Sequence, residues 1–367
     1  MCGLGQFPVL VFLHLEGQGH PEETSQNVIL PALRSIQSLL HGCIPTEDGV
    51  SADNREDYTV GRRFLQPAGP VRVGMRELRN GRVGYLQKEK KVRNIMALIE
   101  LEELERASPL FRGRAGHLLV NRIFRCLGLD RIQEAYDRNC SFEGADFASH
   151  ILEDFGIHYT VEGSGLETLP QGPFITVSNH PYGSIDGLIL ADVFGHHRPD
   201  FKVMVNKFLG RIKALEPSLI KVTPTGNERK TPDVHSMAGV RAALGHLREG
   251  HPLGIFPSGA VSDLSLKDRC IRDRQWQEPV LKLIMKAAVP VVPVRFFDRN
   301  SDLFYLLGLI DWRVRVLRLP REVLNKKGRQ VRVGIGQTIT PRQQAECESI
   351  EDFGEMLRSA VYGMNPL

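Results

Sequence analysis

From about residue 110 onward, short apolar runs alternate with stretches of helical period. Phe174 to Ser178 is a compact apolar-rich run that predicts a buried strand, and Ile185 to Phe194 predicts a helix directly after it. Further strands are predicted at Phe201–Val205, Ile220–Val222, Leu253–Phe256, Val289–Phe297 and Val331–Ile335. Further helices are predicted at Ser236–Glu249, where Val240, Leu244 and Leu247 share a face, and at Pro279–Ala288 and Glu351–Val361. Upstream, the spacing predicts one helix over 117–137 and a shorter one at Asp146–Phe155. Alternation of this kind predicts an α/β fold: a central mixed β-sheet flanked by helices on both faces.

The first part of the chain reads differently. Residues 41–72 are rich in Gly, Pro, Asp and Arg without a period, which reads as loop or disorder. Residues 87–106 place Val92, Ile95, Met96, Ile99 and Leu101 at helical spacing and predict one amphipathic helix. It suits packing, an arm or a partner contact. The expected division is therefore an N-terminal extension, 1–107, and one catalytic domain, 108–367.

Composition narrows the function. The 367 residues carry a formal net charge of only +4, which argues against a nucleic-acid partner. A mild basic excess fits an anionic membrane or a negatively charged carrier. The six cysteines form no C-x-x-C pair, and reduced thiols in the cytoplasm are expected. No apolar run reaches the roughly 18–20 residues that span a bilayer. Phe7–Leu15 is short, includes His14 and follows no basic segment, so it does not read as a signal peptide. A lipid-directed protein of this kind would lie on the membrane.

The chemistry concentrates in Thr176-Val-Ser-Asn-His-Pro-Tyr-Gly-Ser-Ile-Asp-Gly187. His180 falls at the carboxyl end of the predicted strand, where α/β proteins place ligands. Asp186 falls in the first turn of the following helix, where negative charge is favoured. Pro181 and Gly183 permit a turn that returns the carboxylate to the imidazole. A carboxylate on one ring nitrogen leaves the other free to take a proton from a hydroxyl. The same residues also suit a solvated loop histidine and a helix-capping aspartate. A second strand–turn, Gly254-Ile-Phe-Pro-Ser-Gly-Ala-Val-Ser262, offers backbone N–H groups to an oxyanion. A third run, Val289-Pro-Val-Val-Pro-Val294, is a strand bracketed by prolines.

In this order, over roughly residues 150–340, the three segments resemble the blocks of the glycerolphosphate and lysophosphatidate acyltransferase superfamily. Those blocks read N-H-x4-D, F-P-E-G-T-R-S and V-P followed by two hydrophobic residues, proline and another hydrophobic. Five residues rather than four separate His180 from Asp186, and Ser258 and Val261 stand where the superfamily has Glu and Arg. Both departures resemble the branch that holds the proteins called haemolysins and the O-acyltransferases of ornithine and glycine lipids, with N-H-P-x-G-G-x-D-G and F-P-A-G-x-x-S. Ile271-Arg-Asp-Arg-Gln-Trp276, the stretch Phe297–Tyr305, and Leu319–Leu324 followed by Val331–Gly336 also look like that branch.

The resemblance implies acyl transfer from acyl carrier protein or coenzyme A to a hydroxyl, with the thioester as co-substrate and no other cofactor or metal. His180 would be the general base and Asp186 its orienting partner. Asn179, Gly183, Phe256, Pro257, Ser258, Gly259 and Ser262 are expected on the substrate or oxyanion side. Lys207 or Lys221 is the candidate for the positive charge that Val261 cannot supply, although each alone reads more readily as a solvated surface lysine. Without an arginine in the middle block, the acceptor is expected to lack a phosphate ester, as a 3-hydroxyacyl amino acid does. A phosphate-bearing lysolipid acceptor and a non-catalytic membrane or carrier-protein binder remain as alternatives. A lytic role, as the name haemolysin suggests, fits no pattern in the chain. The expected place is the cytoplasmic face of the membrane, held peripherally.

Three other features are weaker. Residues 295–332 hold ten Arg or Lys against four Asp or Glu, beside the apolar run Leu303–Ile310, which suits either membrane docking or a buried helix. His196, His197 and Asp200 read as an exposed loop rather than a metal cluster. Ser184 does not fit the nucleophile elbow G-x-S-x-G, and Gly163 and Gly165 lack a phosphate-loop pattern.

Overall fold

The apolar runs at 175–178, 253–255 and 291–296 are buried on both sides, so these strands need neighbours and cover on both faces. A computed structural model of the chain describes residues 112–163, 165–206, 212–222 and 234–366. The predicted loop at 41–72, the helix predicted at 87–106, the run Phe7–Leu15 and Lys207 lie outside the described residues.

Three helices come first: α1 (Gly113–Leu127), α2 (Leu129–Asn139) and α3 (Gly144–Asp154). The sequence predicted a single helix over 117–137, and the chain breaks it in two. Gly128 sits at φ 75° and donates to the carbonyls of Phe124 and Arg125, which ends α1. A side chain there would also run into Leu324. This left-handed cap is a glycine position.

The sheet then builds from β1 (His158–Glu162), β2 (Ile175–Ser178), β3 (Lys202–Asn206), β4 (Leu219–Val222), β5 (Leu253–Ile255), β8 (Val291–Phe296) and β9 (Gln330–Ile335). A hairpin of β6 (Asp263–Ser265) and β7 (Cys270–Arg272) stands apart from it. Between the strands run α4 (Ser184–His197), α5 (Val234–Arg248) and α6 (Glu278–Ala287). After β8 come α7 (Asp302–Ile310), α8 (Trp312–Leu317) and α9 (Leu319–Leu324). The chain closes with α10 (Pro341–Gln344) and α11 (Ile350–Tyr362).

Strand order is β1-β9-β8-β2-β5-β3-β4. β8, β2, β5, β3 and β4 run parallel, while β9 opposes β8 and pairs parallel with β1. The sheet is therefore mixed, as expected. Two apolar clusters cover its faces. One joins Ile175, Val177 and Val291 to α5, α6 and α11. The other joins Val292, Val294 and Phe296 to α1–α4 and α7–α9. Every residue of β2 is buried, and each such Val or Ile contributes about 1.5–3 kcal/mol. The central strand is thus well anchored, and its carboxyl end is a stable base for a loop.

Candidate active site

β2 ends at Ser178 and α4 begins at Ser184, so residues 179–183 form the loop at the carboxyl edge of the parallel strands. Nδ1 of His180 lies 2.9 Å from Oδ2 of Asp186, with the histidine side chain 9% exposed and the carboxylate wholly buried. The separation is that of a hydrogen bond, but the ring is not aligned with the oxygen. The same Oδ2 accepts the backbone N–H groups of Tyr182, at 2.9 Å, and Gly183, at 3.0 Å. The carboxylate thereby caps its own helix and holds the turn that brings His180 back. Burial pushes the Asp186 carboxyl above its ordinary value, while the His180 ring and the two backbone N–H groups pull it down.

The loop is fixed from outside as well. Asn179 donates from Nδ2 to the Phe296 carbonyl at 2.9 Å and accepts the Phe296 N–H at 2.8 Å. It splints β2 to β8, with both its amide nitrogen and its amide oxygen engaged. The His180 carbonyl accepts the Ser262 N–H at 2.9 Å. The His180 N–H is held by Oδ1 of Asp273 at 3.1 Å, and the Ser262 hydroxyl donates to the same oxygen at 2.6 Å. Ser262 is thus packed behind the histidine, 2% exposed. Asp273 also accepts from Nε1 of Trp276 at 3.3 Å. Burial pushes its carboxyl up, and its donors oppose that. Sequence reasoning missed Asp273. Only the run Ile271–Trp276 hinted at it, and no spacing rule links a residue so far along the chain to His180.

The segment after β5 covers the imidazole. The Phe256 ring packs on the His180 ring with centroids 4.1 Å apart. Pro257 and Ser258 are buried, the Pro257 carbonyl accepting Gln277 N–H at 2.9 Å and the Ser258 hydroxyl donating to Ala260 O at 2.8 Å. Gly259 adopts φ 66°, and a side chain would collide with the Gln277 amide. Its N–H closes a turn onto Phe256 O at 3.0 Å, so that donor is not free for an oxyanion. The Ser258 N–H makes no hydrogen bond to other described residues and is the available donor of the pair. Val261 is wholly buried in the apolar cluster.

Lys221 forms an exposed ion pair with Glu216 at 2.6 Å. His196 and His197 bond back to the Asp192 and Val193 carbonyls on α4, and Asp200 pairs with Arg198 and His251. Among the described residues no cluster of His, Cys, Asp and Glu is arranged to hold a metal ion. A cavity of about 520 Å³ opens on the Tyr182 side of the loop, between Asn300, Lys326 and Arg329.

The arrangement is an imidazole with an orienting carboxylate, held at the carboxyl end of the central strand on a loop braced by three separate segments. It can take a proton at the ring nitrogen that faces away from Asp186. Residues 105–366 match the family model described as Acyltransferase. The lyso-glycine lipid O-acyltransferase of Bacteroides thetaiotaomicron is 29% identical over 227 residues, which are 60% of this chain and 79% of that protein. The protein of the same name from Phocaeicola vulgatus is 28% identical over 227 residues, 60% of this chain and 77% of that one. The 1-acyl-sn-glycerophosphate acyltransferase PlsC of Thermotoga maritima, a crystal structure, aligns at TM-score 0.38 and 18% identity over 73% of this chain and 94% of that one. The chain belongs to the acyltransferase family, and it is an enzyme of acyl transfer.

Proposed function

We propose that the enzyme transfers a fatty acyl group from acyl carrier protein or coenzyme A to the hydroxyl of a lyso-amino-acid lipid of the glycine or ornithine kind. The observation that carries the reading is the His180–Asp186 pair on its braced loop. His180 takes the proton of the acceptor hydroxyl as its oxygen attacks the thioester carbonyl. Asp186 orients the ring and offsets the imidazolium charge. The tetrahedral oxyanion is held by backbone N–H, for which Ser258 supplies a donor that no other described residue engages. Collapse breaks the C–S bond, and His180 returns the proton to the departing thiolate. No covalent enzyme intermediate and no metal is needed for this sequence.

Two observations favour an acceptor without a phosphate ester. Val261 occupies the middle-block arginine position, carries no charge to pair with a phosphate and is buried in the core. The two bacterial relatives are named for a lyso-glycine lipid. Such an acceptor resides in a membrane, so we place the enzyme at the cytoplasmic face of one. No helix among the described residues is long and apolar enough to cross a membrane.

The test offers labelled acyl carrier protein and coenzyme A thioesters with N-(3-hydroxyacyl)glycine, N-(3-hydroxyacyl)ornithine and lysophosphatidate to purified protein, beside His180→Ala. Transfer to the amino-acid lipids, lost in the variant, is expected. Transfer to lysophosphatidate alone would overturn the acceptor, and equal transfer by His180→Ala would overturn the mechanism.

A further inference from the structure

Most of the exposed large apolar side chains among the described residues fall in one neighbourhood. Leu303, Leu306, Leu309 and Ile310 are 48%, 52%, 45% and 81% exposed, and all lie on α7. Leu303, Leu306 and Ile310 follow the i, i+3, i+7 spacing of one helical stripe, while Phe304 and Tyr305 face inward and are buried. Leu266, 68% exposed, is at the turn of the β6–β7 hairpin, against which α7 packs. An apolar face of this kind left in water marks an interaction site.

Cations accompany it. Lys267 and Arg269 follow Leu266 in the hairpin turn, both exposed. Neither forms a close ion pair with an acid among the described residues, although Lys267 acts on Asp268 at longer range, whereas Arg272 and Arg274 are paired to Asp268 and Asp263. Apolar side chains beside unpaired cations complement the hydrocarbon boundary and the anionic headgroups of a bilayer. A protein partner would account for the leucines but would not by itself call for free cations at the same turn.

The platform is also joined to the catalytic loop. Arg315 on α8 is 1% exposed on its side chain, lies 5.1 Å from the Phe304 ring centroid and bonds both Asp263 and, at 3.3 Å, the Ser262 carbonyl. Ser262 in turn holds the His180 carbonyl.

We infer that α7 and the β6–β7 hairpin form a docking platform for an anionic lipid bilayer, fastened through Arg315 to the loop that carries the histidine. The inference rests on the reading of the acceptor as a membrane lipid and names the surface that meets it. Docking there holds the enzyme where its acceptor resides.

The experiment is co-sedimentation of the full chain with phosphatidylglycerol vesicles and with phosphatidylcholine vesicles. The wild type is expected to pellet with the former, less with the latter, and less as salt rises. Leu306→Asp and Ile310→Asp should each reduce partition about tenfold or more, and the milder Ile310→Ser should reduce it less. Lys267→Glu with Arg269→Glu should reduce it about tenfold at low salt and little at high salt. Leu118→Asp, exposed but on α1, should bind as the wild type does. All variants change exposed positions, and thermal melting verifies that they fold. His180→Ala should bind vesicles fully, so a failed acyl-transfer assay leaves this result intact. Platform variants should keep transfer to a short-chain, water-soluble acceptor. Failure of the wild type to pellet, or wild-type pelleting by the platform variants, would overturn the proposal. So would a change of oligomeric state in those variants without loss of vesicle binding, which would assign the face to a second copy.

Discussion

The His180–Asp186 contact is short, buried and shared with two backbone N–H groups, so its two roles can be separated by a conservative change. Asp186→Asn keeps an acceptor for Tyr182 and Gly183 but removes the charge that offsets the imidazolium. We expect kcat to fall by about 10²–10⁴-fold with KM little changed, measured as steady-state acyl transfer. Asp273 acts one step away, through the His180 backbone. Asp273→Asn loses the anionic acceptor shared by His180 and Ser262, and a loosely placed base should lower kcat by about tenfold to a hundredfold. The pH dependence separates this from simple damage. Burial raises the Asp273 carboxyl above its ordinary 3.8 in the folded state. The folded protein therefore holds that proton more tightly than the unfolded chain does. The group's contribution to stability is fully present below about pH 3.8 and is lost as pH rises through the higher folded-state value. Relative to wild type, the melting temperature of Asp273→Asn should thus improve as pH rises above about 4. A difference that stays flat with pH would remove the linkage. Of these residues, His180 and Asp186 were legible because they sit within one strand–turn–helix whose elements the apolar pattern predicts. Asp273 was not, since its partner lies in another segment and only the fold brings them together.

Elements were legible where periodicity was long and illegible where a single residue decides. The pattern over 117–137 is helical throughout, yet Gly128 turns the chain and starts α2. Gly128→Ala must adopt φ 75° and push against Leu324, which should cost about 1–2 kcal/mol and lower the melting temperature by several degrees. Strands β1, β6 and β7 escaped the sequence reading for a different reason. β1 is an edge strand with a partly exposed alternation, and the hairpin strands are three residues each, too short to show a period. The apolar run Leu303–Ile310 suited two readings, burial or docking, because composition does not tell which side of a helix is covered. The structure divides it, Phe304 and Tyr305 inward and four aliphatic side chains outward.

Across the whole molecule, Arg315 joins α7, α8, the hairpin and the catalytic segment while lying almost wholly out of solvent. Arg315→Met keeps its bulk but leaves the Ser262 carbonyl and part of the Asp263 carboxylate without a donor. Asp263 retains Arg274, so we expect a loss of about 2–3 kcal/mol, read by chemical denaturation. The loop around His180 is likewise a meeting point of distant chain segments: Asp273 reaches it across 93 residues and Phe296 holds Asn179 across 117. Such closures are slow, because each orders much intervening chain before any contact forms. Helices can form early on the local pattern, but the base cannot be in place until the last strands have docked. Recovery of acyl transfer after dilution from denaturant should therefore lag the recovery of helical circular dichroism. Partly folded chains, with their apolar surfaces open to lipid, would be catalytically silent.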